Sequence, residues 1–179
     1  MNLTVACGDY DRTRRLLDGT IGIRNHRWTV SSLSPEEMFR RAFDGAEFDI
    51  SELSVSLFMQ RIDQRTCPYV GIPVFPSRAF RHSAIYVRTD GDVIKPEDLR
   101  GRTVGVRSYL NTAALVVRGL LSDSYGITAN EISWRVGDVD QIEREILPIP
   151  KMLRPVDIQA APRGATLADM LIANEIDAI

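Results

Sequence analysis

The densest chemistry in this chain sits in six consecutive residues, Ser77-Arg78-Ala79-Phe80-Arg81-His82. Two guanidinium groups around an aromatic ring suit a carboxylate ligand. Each can give paired, parallel hydrogen bonds, and the ring offers a flat apolar wall. His82 is one of only two histidines. A positioned imidazole is a general acid usable near neutral pH. Glu52 is a second acid–base candidate, because it falls at the end of an expected strand. Asp9, Tyr10 and Arg12 follow the first apolar run, and Arg12 offers a third cation. Ser54 and Thr112 can add hydrogen bonds, with Thr112 equally suited to capping a helix. A plainer reading stands beside this one. The arginines would pair with Glu52, Asp9 or Asp11 as structural ion pairs, and a lone histidine is more often structural than catalytic. From the residue types alone the two readings of the arginines weigh evenly. His26 precedes a strand beside a polar loop and reads as surface.

The segment around this cluster, residues 72–87, is braced by Pro73 and Pro76, which forbid helix and interrupt sheet pairing. It reads as an extended crossover between expected strands at 69–74 and 83–87. Upstream, a strand over 3–7 leads through a polar turn to a helix over 13–17 that stops at Gly19. A strand follows at 28–30. Ser34, Pro35, Glu36 and Glu37 then mark a helix start, with Ser at the cap, Pro in the first position and acids in the first turn. Met38, Phe39, Ala42 and Phe43 give this helix its apolar face, and Gly45 is expected to end it. A strand over 47–54 and a helix over 55–62 come next. Beyond the crossover the pattern predicts a helical turn at 96–101 and a strand at 102–106. A helix capped by Asn111 or Thr112 should run to Tyr125 and stop at Gly126, followed by a strand at 131–136. The remainder reads as a short helix at 139–147, a proline-rich loop at 148–155, a strand at 157–160, a helix at 166–173 capped by Thr166, and a last strand from 175. Alternating strands and helices imply an α/β fold with mostly parallel sheet. The helix start at 111–112 also offers free backbone N–H groups to an anion.

The totals narrow the class. The chain has 179 residues, 44% hydrophobic and 26% charged, with a net charge of −2. Such a chain can bury a sizeable core in one domain or two small lobes, and nothing in its charge points to nucleic acid or an anionic membrane surface. Arginine outnumbers lysine 20 to 2, a bias that genomic base composition explains and that weakens the functional reading of any single arginine. Cys7 and Cys67 read as free buried thiols, and no Cys/His spacing suits a metal. There is no secretory signal and no run of about 20 apolar residues, so a cytoplasmic protein with no membrane span is expected.

Several strings then carry a resemblance: ACGDYDRT (6–13), EFDISELS (47–54), IPVFPSRAFRHS (72–83), DLRGRTVGV (98–106), the RGLL-SD-YG run (118–126) and EIDAI (175–179). In these the chain resembles the 4,5-dihydroxyphthalate decarboxylase family, and the PVFPSR-FRH block is the most specific of them. The resemblance implies a two-lobed, type 2 periplasmic-binding-protein-like α/β fold with mostly parallel sheets and a cleft between the lobes. Lobe one would cover 1–87 and lobe two 88–179. In such folds the chain returns to lobe one after the strand begun by EIDAI, so a C-terminally truncated chain is expected. The implied activity is decarboxylation of a dihydroxylated aromatic dicarboxylate in aromatic-compound catabolism, without metal or organic cofactor. The alternative is a non-catalytic solute-binding protein of the same fold serving a transporter. Under the first reading Ser77, Arg78, Phe80 and Arg81 hold the substrate, with Arg12, Ser54 and Thr112 adding contacts. Asp9 and Tyr10 bind ring hydroxyls, while His82 and Glu52 do acid–base work. The expected partner is a small aromatic or organic dicarboxylate, and self-association is compatible with the sequence. The chain departs from the family pattern at 107–112, which keeps only the Thr112-Ala113 step, at 115–118, where a Trp is common, and at 137–140, where a glycine-rich acidic turn is expected.

Overall fold

The computed structural model describes residues 2–141, 149, 152 and 154–179. It divides into two compact units, residues 1–79 and 80–179. Both are α/β, and every strand pairing within their two sheets is parallel.

In the first unit β1 (Asn2–Cys7) lies between β2 (Arg27–Ser32) and β3 (Ile50–Ser51). The register sets Leu3 beside Trp28, and Val5 beside both Val30 and Ile50. Helix α1 (Arg14–Leu17) follows β1, α2 (Pro35–Gly45) follows β2 and α3 (Val55–Asp63) follows β3. Helix α2 begins as its sequence dictates. Ser34 Oγ accepts from Glu37 N at 3.3 Å, and Pro35 fills a position whose N–H would have no helical partner. Its inner face buries Met38, Ala42 and Phe43, and Met38 and Ala42 pack with Ala6 and Phe48. The strand order places β2 and β3 on opposite sides of β1. The point where an open parallel sheet reverses its winding is therefore the carboxyl end of β1 and β3, where such folds place ligands.

In the second unit β5 (Ser133–Val136) lies between β4 (Thr103–Val106) and β6 (Ile158–Ala160). Helix α4 (Thr112–Tyr125) follows β4, and α5 (Leu167–Ile172) follows β6. Asn111 Oδ1 caps α4 by accepting from Ala114 N at 2.6 Å, and Gly126 closes it in the left-handed conformation at φ 65°. The core gathers Leu99, Val104, Leu121, Ile127, Ile132 and Trp134, with the Trp134 indole N–H donating to the Ala129 carbonyl at 2.9 Å. Burying side chains of this size contributes roughly 1.5–3 kcal/mol each. Arg118 lies with its guanidinium 3.7 Å over the Tyr109 ring and donates to the Tyr109 carbonyl at 2.8 Å. Burial pushes its pKa down from the ordinary arginine value.

Several expected elements differ. Residues 69–74 form no strand; Val70, Ile72 and Val74 are exposed, and the prolines beside them deny the ladder its donors. The strand expected at 83–87 is instead a 3-10 turn, Arg81–Ala84, followed by one antiparallel bridge between Val87 and Ala178. The last residues likewise make single bridges, Ala178 pairing with Val104 in parallel, rather than a continuous strand. The strand expected over 47–54 shrinks to Ile50–Ser51. Gly45 is still helical, and Ala46 takes the left-handed cap at φ 48°. Cys7 is buried in β1, but Cys67 is only half-buried and outside any strand. The helix expected at 139–147 and the loop at 148–155 fall largely outside the described residues. No described helix is long and apolar enough to cross a membrane.

Candidate functional site

The sharpest polar constellation lies where β1 and β3 end. Glu52 immediately follows β3, and its N–H donates to the Ala6 carbonyl at 2.9 Å, so the ladder fixes its backbone. Its carboxylate accepts twice: from Gly8 N at 2.9 Å on Oε2, and from the Tyr10 hydroxyl at 3.0 Å on Oε1. Thr13 holds the intervening turn closed. Its buried hydroxyl donates to the Gly8 carbonyl at 2.6 Å and accepts from Tyr10 N at 2.9 Å. The Tyr10 ring lies directly over Gly8, and a Cβ there would come within 2.6 Å of the ring. Burial first, and then the bond to Glu52, pushes the Tyr10 phenol above its ordinary pKa, while the neighbouring Ser77 side chain opposes this. Burial next to Glu52 also raises the Cys7 thiol.

One hydrogen bond ties the proline-braced segment to this turn: the Arg12 guanidinium donates to the Pro76 carbonyl, and Ser77 lies beside the Tyr10 phenol. Arg12 also pairs with Asp11 at 3.3 Å and lies 5.9 Å from the Tyr10 ring centroid. Its guanidinium therefore spans the β1–α1 turn and residue 76. Asp9 pairs with Arg14 at 3.0 Å. Ser54 is buried at the start of α3, where its hydroxyl accepts from Leu57 N at 3.5 Å and shares a bond with Ser56 at 3.1 Å. Arg78 is exposed and donates through Nε to the Phe75 carbonyl at 3.2 Å.

In the second unit His82 stacks on Phe80, with ring centroids 4.6 Å apart and planes 22° from parallel. Arg81 opens the 3-10 turn, and Ser83 Oγ pins that turn by donating to the Phe80 carbonyl at 2.8 Å. The structural ion-pair alternative holds for Arg12, which pairs with Asp11, while no described acidic residue forms an ion pair with Arg78 or Arg81. Thr112 is the first helical residue of α4, and the cap is Asn111. A cavity of about 210 Å³ opens beside this helix start, walled by Ile85, Val104, Val117, Leu121 and Trp134 with Arg107 and Asn111 as its polar members. Arg107 faces Asp138 at 3.9 Å. Among the described residues no group of three or more His, Cys, Asp and Glu side chains is placed to hold a metal ion.

The structure thus brings together Tyr10, Glu52, Ser77 and Arg12 in one unit, and stacks Phe80 on His82 in the other. The sequence reading did not single out Gly8 or Thr13 as site residues, and it offered Asn111 only as one of two caps for α4. Thr13 could have been found from its spacing, three residues after Tyr10 in a polar turn, where a hydroxyl commonly bonds back to the main chain.

No protein-family model matches the chain. Two curated relatives do. The 4,5-dihydroxyphthalate decarboxylase of Comamonas testosteroni is 41% identical over 182 aligned positions, which take in all of this chain and 54% of that protein. The 4,5-dihydroxyphthalate decarboxylase of Pseudomonas putida is 38% identical over 179 positions, again the whole chain and 69% of the relative. The chain therefore spans about half the length of the first and about two thirds of the second.

Proposed function

Because this chain belongs to the 4,5-dihydroxyphthalate decarboxylase family, we propose that it takes part in removing CO2 from a dihydroxylated aromatic dicarboxylate. The observation that carries this reading is the 38% identity extending over the whole chain and 69% of the Pseudomonas protein. The residues suit the chemistry. A benzene dicarboxylate is a planar dianion, and Arg78 and Arg81 are cations that no described acid neutralises. Loss of CO2 from a hydroxylated ring requires a proton at the carbon that bore the carboxylate. His82, exposed and stacked on Phe80, is the acid we assign to that step. Glu52, which accepts from the Tyr10 hydroxyl, is the acid–base group we assign to the ring hydroxyls, with Tyr10 and Asp9 as the residues assigned to bind them. Arg12, Ser54, Ser77 and Thr112 complete the substrate-binding set. The two-lobed, periplasmic-binding-protein-like architecture, its lobes at 1–87 and 88–179, a cytoplasmic location and a role in phthalate catabolism belong to the same reading.

The test is to incubate the protein with 4,5-dihydroxyphthalate and follow CO2 and 3,4-dihydroxybenzoate. Turnover supports the proposal. Tight binding with no CO2 would favour a solute-binding protein instead.

A further inference from the structure

The hydrogen bonds around Tyr10 restrict what that phenol can do next. A phenol oxygen has one proton to give and two positions at which to accept. Tyr10 gives its proton to Glu52 Oε1. Its one proton is committed there, so only a donor can bind at the oxygen's accepting positions. A substrate carboxylate cannot bind there, but a substrate hydroxyl can. The Glu52 carboxylate behind the phenol is fixed by Gly8 N–H and by its own place at the end of β3. The ring is fixed over Gly8, and Thr13 closes the turn. A donor at Tyr10 is thus joined through one rigid phenol to a carboxylate.

We propose that Tyr10 and Glu52 form a proton relay that withdraws the proton from a ring hydroxyl of the substrate. This inference rests on the decarboxylase reading above. As the substrate O–H bond breaks, its proton passes to the Tyr10 oxygen and the Tyr10 proton passes to Glu52 Oε1. The tyrosine stays neutral overall, in keeping with a phenol whose ionisation is disfavoured by burial and by its carboxylate neighbour. In 4,5-dihydroxyphthalate each hydroxyl lies para to one carboxylate. The electron pair left on oxygen therefore flows through the ring to the carbon bearing that carboxylate, which takes up a proton. The C–CO2 bond then breaks, its electron pair restores the ring, and the relay runs backward to reprotonate the oxygen. The net change is one proton consumed and one CO2 released. Tyr10 is a catalytic residue in this scheme, positioned by Gly8 beneath its ring and by Thr13 across the turn.

The test compares wild type with Tyr10→Phe and Glu52→Gln. The phenylalanine keeps the ring over Gly8 and removes only the hydroxyl. Two probes are used, 4,5-dihydroxyphthalate and phthalate itself, which lacks hydroxyls. The relay predicts that each variant loses about 10²-fold or more in kcat, with a changed pH profile and phthalate affinity within a few-fold of wild type. It also predicts a red-shifted, ionised-ring absorbance for bound 4,5-dihydroxyphthalate that disappears in both variants. A kcat for Tyr10→Phe within threefold of wild type, or an equal loss of affinity for both probes with no spectral change, would overturn it. Wild type that binds 4,5-dihydroxyphthalate without turnover defeats the decarboxylase reading alone. In that case the spectral arm still decides the relay, supporting it if the shift is present and lost in Tyr10→Phe, and refuting it if no shift is seen.

Discussion

At the scale of single residues, groups distant in sequence are joined in one chain of hydrogen bonds from Gly8 through Glu52 to Tyr10. Gly8 is the sensitive point, because the Tyr10 ring occupies the space its Cβ would need. Gly8→Ala should push Tyr10 away from Glu52 and lower turnover by at least tenfold, with a fall of about 1–3 kcal/mol in stability from overpacking; urea unfolding alongside kcat measures both. His82→Ala should lower kcat by roughly 10²–10⁴-fold with little change in KM, and an unaltered kcat would remove His82 from the acid role. Arg78→Lys keeps the charge but loses the forked geometry, so dianion affinity by calorimetry should fall about tenfold. Much of the first unit's cluster was readable from residue type and position after a strand. The Tyr10–Glu52 bond was not. It joins residues 42 apart, and only the parallel pairing of β1 with β3 makes them neighbours. Arg12 was read as a substrate cation, and its bond to Pro76 depends on where residues 72–78 come to rest, which no local pattern encodes.

At the scale of elements, capped helices were legible and unpaired strands were not. The starts of α2 and α4 follow from Ser34 and Asn111, whose side chains accept from the third backbone N–H beyond them. Asn111→Ala should therefore lower stability by about 1 kcal/mol, seen as a lower Tm, while Thr112→Ala should not remove the cap. The end of α2 shows the limit of reading glycine as a stop. The left-handed residue is Ala46, one position beyond Gly45. Ala46→Gly should relieve backbone strain and raise stability by roughly 0.5–1 kcal/mol, offset in part by a freer unfolded chain; an unchanged or lower Tm would contradict this. The strands expected at 69–74 and 83–87 failed for a physical reason. Apolar, β-prone residues form a strand only where another edge is free to pair. Here Pro73 and Pro76 remove donors, and the second segment pairs only through its last two residues, Tyr86 with Ile179 and Val87 with Ala178.

At the scale of the whole molecule, its charges set how it responds to acid. Asp49 is held below the ordinary carboxylate range by hydrogen bonds from the backbone and hydroxyl of Thr4. Asp98 is held down by the N–H groups of Ile94 and Lys95, and Glu131 by Thr128. A carboxyl whose pKa is depressed on folding contributes stability above its unfolded value, and that contribution is lost as pH falls through the folded value. Tm should accordingly be level from neutrality to about pH 5 and drop below about pH 4, with Asp49→Asn less stable than wild type at pH 7 and closer to it in acid. The α/β class with parallel sheets was legible because strand and helix signals alternate along the chain. The division after residue 79 was not, because it falls within the motif that the sequence presents as one block. That block, with Arg78 on one side of the division and Phe80, Arg81 and His82 on the other, is central to the proposed activity. The most direct measurement is CO2 release from 4,5-dihydroxyphthalate carboxyl-labelled with carbon-13. The account predicts labelled CO2 in one-to-one ratio with 3,4-dihydroxybenzoate, abolished or strongly reduced in Tyr10→Phe and His82→Ala. Saturable binding of the unreacted diacid with no labelled CO2 would contradict it.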